Sequence, residues 1–457
     1  MLDGLFNARR VAVIGVSPQP MNLGNVIMSN QRQMGFSGEV FAVGRQGGET
    51  ELGPIYKSVD ELPTEIDLGV IMVPARFVPE SVEACGRKGA RWVVISSAGF
   101  GELGPERAGL EQAALAAARR FGIRVVGPNC LGVANWATGL TTSFAPVPLW
   151  LFHHGPVSIV SQSGGLSDCL SGMISDLSLG MNKFISIGNK LDVDEVDCLS
   201  YLADDPSTEV ICVYLEDIRR GRALIETAQR CHKPILMLKG NASVAGARIA
   251  KSHTAALAAD DQIVDAAFRQ AGIVRMYGLR NMALASAVMR LPKMRGNRVA
   301  AMCLSGGVSV VLADLCESLG FVLPVLDQDL LDDLQSRGRS GVIRLTNPLD
   351  MGDIFGGEHF AETIRRVASL DYIDGMVVVS PIAEASGGAT SRGSAGEIIP
   401  MVKDLSRRLQ KPIVLANMPS TRSVADAMRQ YDYPLFSDPE DAARALAALY
   451  RYSMLSR

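Results

Sequence analysis

Short runs of β-branched and apolar residues alternate along the whole chain with longer stretches in which apolar residues recur at helical spacing. That alternation predicts parallel sheets with crossover helices. A first set of strands is expected at residues 11–14, 39–43, 68–73, 92–96 and 124–126, with an Ala-rich helix over 105–121. A second set is expected at 157–160, 184–187, 210–215 and 234–238, and a third at 298–304, 321–325, 375–379 and 412–416. The polar, Pro-containing stretch 141–156 reads as a linker, and the charged, Gly-containing stretch 293–297 as a second boundary.

Two of the strand-to-helix turns are alike. Ser163-Gly164-Gly165-Leu166-Ser167 and Ser305-Gly306-Gly307-Val308-Ser309 share the pattern S-G-G-x-S, and each predicted helix ends in Ser-Leu-Gly, at Gly180 and Gly320. A repeated strand, small-residue turn and helix suggests two duplicated flavodoxin-like domains. The expected fold is therefore α/β with three parallel-sheet domains: a Rossmann-like one over 1–140 and flavodoxin-like ones over 155–292 and 297–457.

Composition narrows the function classes. With 47% hydrophobic and 20% charged residues over 457 positions, the chain has material for packed cores and little for a long disordered tail. A net charge of −3 without a dense Lys/Arg run argues against a nucleic-acid binder. No run approaches the roughly 18 apolar residues of a membrane span, and the first apolar run, at Val11, is too short for a signal-peptide core. No membrane association and a cytoplasmic location are expected. The eight cysteines include no C-x-x-C pair and read as reduced core residues. His153, His154, His232 and His359 lack metal-ligand spacing, so no metal site is expected. The G-x-S-x-G, G-x-x-x-x-G-K-[ST] and H-E-x-x-H motifs are all missing.

Three places could carry chemistry. The turn after the first strand holds Gly15, Ser17, Asn22 and Gly24, and its glycines let a backbone approach a ligand phosphate at a helix N-terminus. It is not a G-x-G-x-x-G, and the second strand ends in Val43-Gly44-Arg45 with no acid for a ribose hydroxyl, so NAD is not expected. Ser161-Gln162-Ser163-Gly164-Gly165 combines hydroxyls, glycines and free N–H groups at a helix start, either as an anion site or as a capped helix that binds nothing. The small-residue segment around His253 suits an exposed loop, with Asp260 or Asp261 capping the helix that follows. Its imidazole could act as a nucleophile if a carboxylate oriented it. Glu216, at the end of the strand 210–215, is a candidate for that carboxylate or an ordinary strand-end charge.

Taken in order, these features resemble the NDP-forming acyl-CoA synthetases, and within them the α subunit of ADP-forming acetyl-CoA synthetases. The shared motifs are the Gly15-x-Ser17 turn, Val73-Pro74, Ser97-Ala98-Gly99-Phe100, Gly127-Pro128-Asn129-Cys130-Leu131-Gly132 and Ser161-Gln162-Ser163-Gly164. They continue with Gly188-Asn189-Lys190-x-Asp192-Val193-Asp194, Tyr214-Leu215-Glu216, Ala245-Gly246-Ala247-Arg248, Ser252-His253-Thr254 and Asn347-Pro348-Leu349-Asp350.

The resemblance implies a ligase that interconverts an acid, CoA and ATP with acyl-CoA, ADP and phosphate through an acyl phosphate. It implies that His253 is the phosphorylated histidine, Glu216 its supporting carboxylate, and Asn129 with Ser161–Gly165 the phosphate and acyl site. CoA would contact Gly15, Ser17, Asn22, Gly24, Val43, Arg45, Val73, Pro74, Ser97, Ala98 and Gly99. ATP/ADP with Mg would sit on a separate ATP-grasp β subunit, making a hetero-oligomer; the alternative is a non-catalytic CoA-binding regulatory module. Departures from the family pattern are Ala255 and Ala259 for glycines, Ala242 and Val244 for polar residues, Asn22 for a Lys, and Gly44-Arg45 for Asn-Pro.

Overall fold

The computed structural model describes residues 2–19, 21–104, 107–145, 153–246, 260–338, 341, 343–354, 357–380, 395–418 and 423–456. The chain divides into two compact units, Met1–Ser175 with Gly180–Leu279, and Asp176–Leu179 with Arg280–Arg457.

The first unit holds two seven-stranded sheets. One is built from β1 (Arg10–Ile14), β2 (Glu39–Val43), β3 (Gly48–Thr50), β4 (Gly53–Tyr56), β5 (Leu68–Ile71), β6 (Trp92–Ile95) and β7 (Arg124–Val126), in the order β3-β4-β2-β1-β5-β6-β7. All neighbours are parallel except β3 and β4. The continuous apolar runs of β5 and β6 are buried throughout, as strands covered on both faces must be. The chain leaves β1 for β2 on one side and later fills β5 on the other. Strand order therefore reverses at β1, and the crevice beyond its carboxyl end is where open α/β sheets bind ligands.

The second sheet contains β8 (Val133–Asn135), β9 (Leu140–Thr141), β10 (His154–Ser161), β11 (Met181–Ser186), β12 (Val210–Leu215), β13 (Ile235–Lys239) and β14 (Val274–Met276). Its order is β14-β13-β12-β10-β11-β8-β9, so the reversal lies at β10. β8 and β9 precede residue 142, yet they pair antiparallel onto the β11 edge and so lie across the expected boundary at 140. Strands of three and two residues are too short to carry a period. One core joins the two sheets: Phe6 stacks on Tyr201 with centroids 5.3 Å apart, and Asn135 Nδ2 donates to the Phe6 carbonyl at 3.0 Å.

Beneath this junction Lys183 and Asp205 form a buried pair at 2.8 Å, with side chains only 5% and 8% exposed. Burial alone would raise the Asp205 carboxyl, but Lys183, Thr208 and Ser207 outweigh it and hold the group well below the usual carboxylate range. A lowered folded-state pKa means that the pair stabilises fully above the unfolded carboxyl's range near pH ~4 and progressively less as pH falls below it. Asp205→Asn, which strands the Lys183 ammonium, is expected to cost about 3–5 kcal/mol. Urea unfolding at pH 7 and pH 3 checks this: the native chain and variant should differ widely at pH 7, and the gap should have begun to narrow by pH 3.

The second unit has one all-parallel sheet of β15 (Val299–Cys303), β16 (Leu349–Asp350), β17 (Gly375–Ser380), β18 (Ile413–Asn417) and β19 (Leu435–Phe436), ordered β16-β15-β17-β18-β19. The expected strand at 321–325 is not one. Val322 makes a single bridge to Arg298, Pro324 has no N–H to donate, and Val322 and Val325 are exposed. The helix Leu279–Val288 begins at the junction of the units and runs into the second, where Arg280 pairs with Asp441, Arg290 with Asp432, and the Met294 N–H with Ser453 Oγ. The two similar turns each follow the strand at which the order reverses. The helix Gly164–Asp176 follows β10, and the helix Gly306–Ser318 follows β15. All eight cysteines are free thiols, and Cys169 is exposed, unlike the core positions expected of it.

Candidate active site

Four segments meet at the carboxyl edge of the first sheet. Gly15, with φ +107°, continues β1, and its N–H and that of Val16 both donate to the Val43 carbonyl at the end of β2, at 2.9 and 3.0 Å. Asn22 caps the helix Leu23–Gln33 by accepting from the Asn25 N–H, while its Nδ2 donates back to the Gly15 carbonyl at 3.0 Å. Asn22 thus shapes the turn. Asn25 Nδ2 holds the other side through the Ser17 and Gln19 carbonyls. A side chain at Gly44 would strike the Val16 carbonyl, which keeps β2 and this turn in close approach. Arg45 and Arg76 both lie over the Phe77 ring, 4.7 Å from its centroid, and both are exposed. Val73 and Pro74 follow β5, with the Val73 N–H tied to Ser97 Oγ at 3.0 Å. Ser97 itself is buried; Ala98 is exposed.

A second locus is a cavity of about 390 Å³ lined by Ser96, Asn129, Cys130, Leu131, Phe144, Gln162, Ser163, Gly164, Gly165, Gly188, Asn189 and Glu216. Five of the residues expected at the phosphate and acyl site or beside the histidine are here with Asn129, from segments up to 87 positions apart. Ser161 is the exception. Its hydroxyl is buried and serves the turn itself, donating to the Ser163 carbonyl at 2.7 Å and accepting from the Ser163 N–H at 3.2 Å. The glycines at 164 and 165 leave the first turn of the helix without side chains facing the cavity, so its N–H groups can meet an anion. Asn129 takes φ +56° between the turns at Gly127 and Gly132, and its Nδ2 reaches Asn189 Oδ1 at 3.3 Å.

Glu216 stands at the end of β12 and is 8% exposed. Its backbone is held from three sides: Gln162 Oε1 accepts its N–H at 2.8 Å, and Lys239 Nζ and Asn241 Nδ2 donate to its carbonyl at 2.8 and 3.0 Å. One carboxylate oxygen lies 3.4 Å from the Tyr214 hydroxyl, whose pKa is pushed up to about 12 by burial and by Glu216. The other oxygen, Oε2, is buried with no partner among the described residues. A buried carboxylate oxygen without a donor is costly and so marks a place for one. Cys130 is not a competing nucleophile, because burial pushes its thiol up to about 12. His253 lies outside the described residues, and Asp260, the nearer of the two expected caps, accepts from the Gln262 N–H at 2.9 Å.

The residues that the sequence reading passed over connect the two loci. Glu102 Oε1 accepts the N–H groups of Gly99 and Phe100 at 2.6 and 3.1 Å, and its Oε2 accepts Asn189 Nδ2 at 2.7 Å. Burial would raise this carboxyl, but the Gly99 N–H and the Asn189 amide outweigh it and lower its pKa. One carboxylate therefore ties the loop after β6 to the wall of the cavity. Asn189 was visible within a motif; Glu102 had no local signal. Among the described residues no cluster of His, Cys, Asp and Glu could hold a metal ion, and no helix is long and apolar enough to cross a membrane.

A CoA binding domain family matches residues 9–136, and a succinyl-CoA ligase like flavodoxin domain family matches residues 154–289. The chain is 34% identical to the α subunit of the ADP-forming acetate–CoA ligase I of Pyrococcus furiosus, over 99% of this chain and 98% of that one. It is 33% identical to the ADP-forming acetate–CoA ligase I of Archaeoglobus fulgidus, matching along its whole length but spanning 64% of that longer protein. Among solved structures, the dinucleotide-forming acetyl-coenzyme A synthetase 1 of Ca. Korarchaeum cryptofilum, in complex with phosphate and ADP, superposes with a TM-score of 0.85 at 28% identity, covering 100% of this chain and 97% of that one. A full-length match to an α subunit, together with both domain families in the expected order, places this chain in the family of ADP-forming acetate–CoA ligases.

Proposed function

We propose that the chain is the α-type subunit of an ADP-forming acyl-CoA synthetase, working through an acyl phosphate and a phosphohistidine at His253. CoA binds along the carboxyl edge of the first sheet, where Val43 ends β2 and Gly15, Val73 and Ser97 follow β1, β5 and β6. In the direction of acyl-CoA breakdown, phosphate held by Ser163, Gly164 and Gly165 attacks the thioester carbonyl and CoA leaves as its thiol. An imidazole nitrogen of His253 then attacks phosphorus, the acyl–phosphate bond breaks, and the carboxylic acid departs. Glu216 accepts the other ring N–H and stabilises the charge that develops on the imidazole. ADP takes the phosphoryl group on a separate ATP-grasp β chain, where the nucleotide's Mg is held. The longer Archaeoglobus fulgidus relative, of which this chain spans 64%, supports a second component of that kind. An intracellular hetero-oligomer is the matching assembly.

The observation that carries this reading is the unpartnered Glu216 Oε2 in the same cavity wall as Gln162, Ser163 and two helix-start glycines. The test is incubation of the purified chain with acyl phosphates labelled on phosphorus, acetyl phosphate first, in the presence of CoA. Acid-labile, base-stable label on the native chain that is absent from His253→Ala is the expected result. CoA binding without label from any acyl phosphate, even with a cognate β chain, would replace it with a CoA-binding regulatory role.

A further inference from the structure

Behind the cavity wall lies a buried charged chain that the proposed reaction does not use. Lys190 takes φ +55°, and its ammonium is fully buried. It pairs with Glu195 at 3.1 Å and with Asp217 Oδ1 at 2.6 Å, and it also donates to the Asp217 carbonyl at 2.9 Å. The same Asp217 oxygen accepts Gln162 Nε2 at 2.8 Å. This fixes which way the Gln162 amide faces, because its oxygen is left to accept the backbone N–H groups of Glu216 and Asp217 at 2.8 and 3.2 Å. A side-chain amide turned by 180° would point its NH₂ at those N–H groups and lose three hydrogen bonds at once. Gln162 and Glu216 both line the cavity, whereas Lys190, Glu195 and Asp217 do not.

We infer that Lys190 is a positioning residue: through Asp217 it locks the Gln162 amide, and through that amide the strand end that carries the Glu216 carboxylate, in the orientation the cavity needs. An ammonium suits this place because it satisfies two carboxylates and a carbonyl from one point with three donors. The inference deepens the function proposed above and rests on it for its catalytic consequence, but not for its structural one.

Two variants test it. Lys190→Met is made together with Glu195→Gln, so that Asp217 keeps Arg219, 3.2 Å away, as its counter-charge. Asp217→Ala leaves the Lys190–Glu195 pair whole while removing the oxygen that accepts Gln162 Nε2, and it serves if the first variant does not fold. The first readout is amide hydrogen exchange by NMR on the native chain and the variants. The Glu216 and Asp217 amides are expected to exchange at least tenfold faster, while the Gln162 amide, bonded to the Tyr214 carbonyl, holds its protection. Equal protection of Glu216 and Asp217 in a folded variant overturns the inference. The second readout is single-turnover labelling of His253 from acyl phosphate. A positioning role lowers the rate constant at saturation at least tenfold with CoA affinity unchanged. A merely structural role lowers only the amplitude, as a smaller active fraction, and that result also overturns the inference. If the native chain takes no label from any acyl phosphate even with a cognate β chain, the proposed function fails, and the exchange data alone decide on Lys190.

Discussion

Glu216→Gln is expected to slow labelling of His253 by about 10²-fold or more while leaving the fold intact. The substitution keeps the shape of the side chain and removes its charge. In the native chain the carboxylate is buried, its Oε1 lies 3.4 Å from the Tyr214 hydroxyl, and Oε2 has no partner among the described residues. An anion kept in that state disfavours folding, so a neutral amide should leave the melting temperature unchanged or raise it. Loss of rate with gain of stability is the signature of a group retained for chemistry. Two further observations make the experiment clean. The backbone of residue 216 is held by Gln162, Lys239 and Asn241 and needs nothing from the carboxylate. The hydrogen-bond partners of residue 216 are Gln162, Tyr214, Lys239 and Asn241, none of which belongs to the CoA-edge turn, so CoA affinity should match the native value. A rate within threefold of native would remove Glu216 from the mechanism.

Gly15→Ala is expected to cost about 2–5 kcal/mol of stability and to lower CoA affinity at least tenfold, because two penalties add. Gly15 has φ +107°, where an L-residue is strained, and a Cβ there would sit 2.1 Å from the Met72 carbonyl oxygen. That atom belongs to the backbone beyond β5, so relief requires the ends of β1 and β5 to part. The turn cannot give on its other side, since the Gly15 N–H is bonded to the Val43 carbonyl and the Gly15 carbonyl to Asn22 Nδ2. Gly35→Ala separates the two causes. Gly35 has φ +74° with nothing within 4 Å of a built Cβ, so only the conformational penalty, about 1 kcal/mol, should appear, with CoA binding unchanged. Thermal melts and CoA titration calorimetry on both variants give the comparison. Equal effects of the two substitutions would mean that the approach of β1 to β5 does not shape the CoA edge.

Much of this molecule could be read along the chain, because its information is local. Parallel strands buried on both faces are continuous apolar runs, so β1, β5, β6, β7 and β12 stand out within a residue or two of their observed ends. Small-residue turns mark the places where strand order reverses, since only a backbone free of side chains can open a helix there. The S-G-G-x-S turns after β10 and β15 are legible for that reason. The order of motifs then pointed to the family, which the full-length similarity shows.

What the sequence could not decide depends on residues far apart in the chain. β8 and β9 are too short to show a period, and their place on the β11 edge follows from the core shared by Phe6 and Tyr201. The run at 321–325 looks like a strand in composition, but a proline and two exposed valines leave it one bridge. Ser161 and Ser163 look equivalent in the sequence, yet only Ser163 lines the cavity, because the Ser161 hydroxyl is turned onto the backbone of its own turn. Glu102 and Asp217 carry no pattern that sets them apart from other surface charges, and Lys190, though part of a motif, has no local sign that its ammonium is buried. Their roles arise when folding buries them beside donors and acceptors drawn from distant segments, and burial is what converts an ordinary charge into a fixed point of the site.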